Sequence, residues 1–169
     1  FYQSVTLINL APISLEKYQE FCQTHFERNG KSLEGDVVPQ LYERFEGITS
    51  YMQRTMNVLY TMTQKGSLCT CDMIDIAIKE LLDFSSDTYE TLLYQMPEKQ
   101  RALFVAIASA GKAKAINGSE FVRKYHLSSA SSVASAAKGL LEKDFITNDK
   151  GVYQVYDLFF KLWLQRTKL

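Results

Sequence analysis

Residues 97–166 read PEKQRALFVAIASAGKAKAINGSEFVRKYHLSSASSVASAAKGLLEKDFITNDKGVYQVYDLFFKLWLQR. Leu103, Ala106, Ile107 and Ala110 recur at helical spacing over about 98–110, and Gly111 closes the run. Lys114–Asn117 is a short extended piece. Ser119 is placed to cap a second helix that buries Phe121, Val122 and Tyr125, and His126-Leu127-Ser128 makes a tight turn. A third helix follows over about 129–143, with Ala130, Val133, Ala134, Ala137, Leu140 and Leu141 on its core face. Phe145–Thr147 and Val152–Val155 then read as strands around an Asn148–Gly151 turn. Asp157 caps a last helix that turns Leu158, Phe159, Leu162 and Trp163 inward. Helix, helix, helix and hairpin in this order predict a helix-turn-helix with a β-hairpin wing. That shape reads a duplex or docks on a partner, and it carries no catalytic machinery of its own.

Upstream, the pattern is helical. Ser14 is an N-cap for a helix over about 15–28 whose stripe is Leu15, Tyr18, Phe21, Cys22 and Phe26, ended by Gly30. Asp36 caps the next, Pro39 falls in its first turn, Leu41, Tyr42 and Phe45 face inward, and Gly47 stops it. Thr49 caps a third helix to about Lys65, with Met52, Met56, Leu59 and Tyr60 at helical spacing, and Gly66–Cys71 is a loop. From Asp72 a long amphipathic helix keeps its period through Met96, with a bend or a brief break expected at Ser85-Ser86-Asp87. Residues 4–10, SVTLINL, read as a strand. The fold class is therefore mainly α: a helical bundle followed by a winged helix-turn-helix with a small β-hairpin. Met96–Pro97 is the expected domain boundary.

Composition fits a soluble protein, at 46% hydrophobic and 22% charged residues, with no run long and apolar enough to span a membrane. The net charge is zero, yet residues 97–169 hold twelve Lys and Arg against six Asp and Glu, and residues 1–96 hold seven against thirteen. The basic half either attracts phosphates or attracts the acidic half. Three cysteines, Cys22, Cys69 and Cys71, are too few and too unevenly spaced for a disulfide framework and point to a reducing, cytoplasmic setting. Cys22 with His25 and the Cys69-x-Cys71 pair have the wrong spacing for a zinc site, so no metal is expected.

The outer face of the third helix of the 97–166 stretch carries Ser131, Ser132, Ser135, Ala136 and Lys138. It lacks the Arg, Asn and Gln that make most bidentate contacts to bases. Duplex binding would lean on phosphate contacts from Lys112, Lys114, Arg123, Lys124, Lys138 and Lys150, aided by those serines, and would be salt-sensitive. The competing reading is that a flat Ser/Ala face packs on a protein. His126 sits where a polar residue tolerating positive φ is useful, and with His25 far away it belongs to no triad. No phosphate loop, GxGxxG, HExxH or GxSxG occurs, and no catalytic residue is assigned.

The runs GITSYMQRTMNVLY at 47–60, MPEKQRALFVAIAS at 96–109 and YDLFFKLWLQR at 156–166 resemble the C-terminal part of archaeal-type prokaryotic P-loop ATPases of the AAA/STAND class. FYQSVTLINLAPISLEKYQEF at 1–21 resembles the end of such an ATPase core, and a start at Phe1 suggests a piece of a longer protein. The resemblance implies that residues 1–13 end the core, 14–96 form a helical lid and 97–169 the winged helix. Gly47-Ile48-Thr49 falls where relatives carry Gly-x-Pro beside the adenine, with Thr49 in place of the proline. Arg54 then falls where a sensor arginine would reach toward phosphates, the alternative being an ordinary solvent-facing arginine. ATP and magnesium would be held by an absent N-terminal core, which becomes the expected partner alongside DNA or a protein surface; this stretch itself holds no cofactor. The other reading is a free-standing winged-helix transcriptional regulator whose helical half senses a ligand or dimerises.

Overall fold

The computed structural model describes residues 12–167, so the expected strand at 4–10 lies outside the described residues. The elements are α1 (Leu15–Arg28), β1 (Ser32–Leu33), α2 (Val37–Arg44), α3 (Thr49–Met62), β2 (Leu68–Cys69), α4 (Met73–Gln95), α5 (Glu98–Ala110), β3 (Ala113–Lys114), α6 (Ser119–Lys124), α7 (Ala130–Glu142), β4 (Ile146–Asp149), β5 (Val152–Val155) and α8 (Leu158–Thr167). The protein is mainly α-helical with little sheet, as the sequence pattern implies. Backbone contacts divide it into two units, Phe1–Lys79 and Glu80–Leu169. The boundary expected at Met96–Pro97 lies inside the second unit.

In the first unit the helical stripes of α1, α2 and α3 bury Tyr18, Cys22 and Phe26, then Val37, Val38, Leu41 and Phe45, then Met52, Met56 and Leu59. Phe21, expected in the α1 stripe, is 66% exposed. It lies between Tyr18 and Cys22 in sequence but at the edge of a stripe whose centre is the i, i+4, i+8 row Tyr18, Cys22, Phe26. Thr49 is the first residue of α3 rather than its cap, and α3 ends at Met62, short of Lys65. The loop expected at Gly66–Cys71 contains β2, which pairs in parallel with β1 through Ser32↔Leu68 and Leu33↔Cys69. Glu34 N donates to Cys69 O at 2.9 Å, and Cys71 N donates to the Glu34 carboxylate at 2.7 Å. The two buried threonines satisfy their hydroxyls within α3 and its end, Thr55 to Tyr51 O at 3.0 Å and Thr63 to Leu59 O at 2.7 Å.

Four helix ends, two in each unit, close in the same way. After α1, α2, α6 and α7 the chain closes with a backbone 6→1 bond: Lys31 N to Phe26 O, Gly47 N to Tyr42 O, Leu127 N to Val122 O and Phe145 N to Leu140 O, all 2.9–3.0 Å. The motif needs a left-handed residue just after the cap. Gly30, Glu46, His126 and Asp144 supply it, with φ of 68°, 54°, 54° and 56°. Only one of the four is glycine. Gly47, expected to stop α2, sits one place later at φ 70°, where a Cβ would lie 2.8 Å from the Tyr42 ring.

In the second unit, α4 runs unbroken through Ser85-Ser86-Asp87, so the helix is not interrupted there. Its later half is tied to α8. Tyr89 stacks on Phe160 at 4.4 Å and 10°, Trp163 Nε1 donates to Ser86 Oγ at 2.9 Å, and Arg166 pairs with Asp83. Leu103, Phe104 and Ile107 of α5 and Phe159, Phe160, Trp163 and Leu164 of α8 complete the core. Asp157 caps α8, its Oδ1 accepting from Phe159 N at 2.9 Å and Phe160 N at 3.2 Å, a cap worth about 1 kcal/mol. Leu162, expected inward, is only half-buried, and Phe160 and Leu164 take the deep places. Gly118 caps α6 and Ser119 is its first residue, while none of Phe121, Val122 and Tyr125 is fully buried. β4 and β5 form an antiparallel hairpin, and β3 joins β5 on its other edge, giving the order β3-β5-β4. The turn is Lys150-Gly151, both at positive φ (50° and 84°), as a two-residue hairpin requires, and Gly151 N donates to Asn148 Oδ1 at 2.9 Å.

Burial leaves a pH signature in the first unit. It pushes the Cys22 thiol up to about 12, and it pushes the Tyr18 hydroxyl up to about 12, with neighbouring Cys22 as a lesser cause. Both groups hold their protons more tightly folded than unfolded. Their contribution to stability is therefore complete below about pH 9 and is lost as pH rises toward about 12. Native protein at about pH 8 is expected to leave Cys22 unreacted with iodoacetamide, and the urea midpoint of the first unit is expected to fall as pH rises above about 9. Peptide mapping of the alkylated protein and urea titrations at each pH check both outcomes.

Candidate nucleic-acid interface

α7 is the helix that follows the turn, and its start is built by serines. Ser129 is extended (φ −164°, ψ 161°), and its Oγ accepts from Ser132 N at 3.2 Å and lies 3.2 Å from Ser131 Oγ. Ser129 is thus spent on capping. The buried face is Val133, Ala136, Ala137 and Leu140. Ala136, expected outward, is buried, while Ala130 and Ala134, expected inward, are exposed. An i, i+3, i+4, i+7 row fixes the stripe, and alanines flanking it give too little hydropathic contrast to tell one side from the other. The outer face is therefore Ala130, Ser131, Ala134, Ser135 and Lys138. Lys138 pairs with exposed Glu142 at 3.8 Å, one turn on. Such an exposed pair is worth about 0.3–0.5 kcal/mol.

The expected contact residues fall into separate groups. Lys112, Lys114 and Lys124 line one hollow between the end of α5, β3 and α6, together with Ser119 and Glu120. Lys124 Nζ also lies 5.2 Å from the Tyr125 ring centroid. Ser131, Ser132 and Ser135 line a different hollow with Lys99 and Gln100, two residues that the sequence reading did not select. There Gln100 Oε1 is buried without a hydrogen-bond partner, and its amide lies directly over Gly139 of α7. Lys150 stands at the hairpin tip and Arg123 is exposed on α6; neither lines those two hollows. What could have pointed to Lys99 and Gln100 is their place in the first turn of α5, the helix that packs most extensively on α7.

The charge picture also changes. Residues 80–169 hold twelve Lys and Arg against ten Asp and Glu, because Glu80, Asp83, Asp87 and Glu90 of α4 belong to this unit. Positive charge is therefore a local property of the β3–α6 side rather than of the whole unit.

Three helices, the turn between α6 and α7, and a hairpin flanked by a third short strand are now in place. Residues 87–166 match the family model described as a probable winged helix domain. This part of the chain is a winged helix. A comparison with curated proteins finds no match. The matched stretch begins within α4, in agreement with the packing of Tyr89 on Phe160 and Trp163. No helix among the described residues is long and apolar enough to cross a membrane.

The residues singled out in the first unit have separate surroundings. Gly47 is buried and serves the α2 turn, and Thr49 opens α3 half-buried. Arg54 is exposed on α3 and lines a hollow with Phe21, His25 and Tyr60 that does not include Gly47 or Thr49. His25 lies 5.0 Å from the Tyr60 ring and 6.1 Å from Phe21, an aromatic neighbourhood. Among the described residues, no three His, Cys, Asp or Glu side chains are placed to hold a metal ion.

His126 is tied to the α6 stop, its N donating to Arg123 O at 3.3 Å with φ at 54°. A β-branched residue tolerates that φ poorly. His126→Val is expected to destabilise the second unit by about 1–2 kcal/mol, while His126→Asn stays within about 0.5 kcal/mol of the parent. Urea unfolding followed through Trp163 fluorescence measures both.

Proposed function

We propose that this chain is a non-catalytic regulatory module: a helical lid of the kind that follows the core of archaeal-type P-loop ATPases, continuing into a winged helix that engages duplex DNA through its phosphates. The winged helix at residues 87–166 carries this reading. In support, lysines gather on one side of it, whereas α7 offers serine and alanine in place of base-reading side chains. In this reading an N-terminal ATPase core binds ATP and magnesium, and Arg54 faces the nucleotide. A free-standing winged-helix regulator is the second reading, favoured by the same lysine hollow, which needs no ATPase to act.

Fluorescence anisotropy with a labelled mixed-sequence duplex tests the DNA contact. Binding is expected at about 20 mM KCl, with little preference among sequences and a steep decline by about 200 mM. An unchanged anisotropy at low salt would remove DNA as the partner and leave a protein surface. The encoding gene separates the two readings: a phosphate loop within about 250 residues upstream of Phe1 supports the ATPase parent, and a start codon next to Phe1 supports the free-standing regulator. Residues 1–169 alone are expected to turn over no ATP in a phosphate-release assay.

A further inference from the structure

Resting on the DNA reading above, we infer that the duplex backbone is held by the β3–α6 hollow, through Lys112, Lys114 and Lys124, and that α7 and the hairpin tip are secondary. Three observations lead there. First, the hollow concentrates three ammonium groups with a single carboxylate, Glu120, on its lining. Second, α7 itself presents one cation, Lys138. Third, the hairpin tip presents one cation, Lys150, with the carboxylate Asp149 next to it in sequence.

The geometry of the hollow follows from a short backbone device. β3 is an edge strand of only Ala113 and Lys114, paired to β5 through Ala113↔Tyr153 and Lys114↔Val152. Ala115 then takes φ 47°, and Gly118 N donates to Ala115 O at 2.8 Å. A Cβ at position 118 would lie 3.0 Å from that oxygen, so glycine permits the tight return into α6. The return brings Ser119 and Lys124 of α6 onto the same hollow as Lys112 and Lys114. The chemistry suits phosphate. A lysine ammonium is a compact charge with three rotatable donors, and it lacks the planar fork with which arginine reads guanine. Contacts of this kind fix a protein on the backbone and carry no sequence information.

The test uses the whole chain and the duplex assay above. Three variants are compared: Lys112→Ala/Lys114→Ala/Lys124→Ala, Lys138→Ala/Lys150→Ala, and Lys112→Arg/Lys114→Arg/Lys124→Arg. Each neutralised phosphate contributes about 0.9 to the slope of log affinity against log salt, so the alanine triple is expected to lower that slope by about 3 and weaken low-salt binding at least about tenfold. The Lys138/Lys150 pair should stay within about twofold, and the arginine triple should retain binding because it keeps the charge. Circular dichroism confirms that each variant is folded. If the pair abolishes binding while the alanine triple binds normally, the inference is overturned and the DNA reading survives. If the unaltered chain binds no duplex, both fall.

Discussion

The second unit depends on one ring contact. Tyr89 lies flat on Phe160 at 4.4 Å, with Phe104 edge-on to Phe160 at 5.0 Å and Trp163 at 5.9 Å. These rings come from α4, α5 and α8, so one aromatic cluster holds together the first and last helices of the unit. Trp163 extends the tie by donating to Ser86, and Gln165 Nε2 donates to Ala108 O at 2.8 Å. The hairpin and α7 are then placed by what remains of the α5 surface. Phe104 meets Phe145 at 5.7 Å just before β4, and α7 closes on α5 where Gly139 carries no side chain. Without the α4 segment, the α8 rings would lose a stacked partner and the Trp163 indole N–H would lose its Ser86 acceptor.

This contact explains why the charge division in the sequence is not the structural division. Met96–Pro97 is a real helix junction, since Pro97 stands at the N-cap of α5. Sign of charge also changes there. Yet residues 80–95 carry their acidic groups on one side and Leu82, Tyr89 and Leu93 on the other, and it is the apolar side that determines which unit they join. Charge says little about fold because water screens it within about 10 Å at ordinary salt, whereas burial is not screened.

Much of the winged helix was legible because its punctuation is strong. Gly111, Asp157 and the Lys150-Gly151 turn each have a local physical reason, and the elements they bound match the pattern, except that β4 runs on through Asn148 and Asp149, which the pattern assigns to the turn. What escaped was either short or without contrast. β1, β2 and β3 have two residues each, too few for a period, and β1 pairs with a strand some thirty-five positions away. The polarity of α7 is not readable among its alanines, and Ala136, outward by the pattern, is buried. Phe21 shows the opposite failure: a large apolar residue at helical spacing that stays exposed at the edge of its stripe. The lysine hollow was legible only as a list of basic residues, since nothing local says that Lys112, Lys114 and Lys124 share a surface and that Arg123 and Lys150 do not.

The serine and alanine composition of α7 constrains any partner. A helix that enters a major groove to read bases needs side chains that reach the base edges with two donors or acceptors. Ser131 and Ser135 are short, and Ser129 is used in the cap. A duplex met by this face gains close approach and shape complementarity but little discrimination among bases. The same smallness lets α7 pack tightly inward, where Ala136, Ala137 and Gly139 leave room for α5 to come near. The residues that allow the helix to nestle into its own unit are thus of the same kind as those that deprive it of a reading surface. Under the DNA-binding proposal, affinity would then come from charge placed elsewhere on the unit, and charge of that sort is general for the backbone it meets.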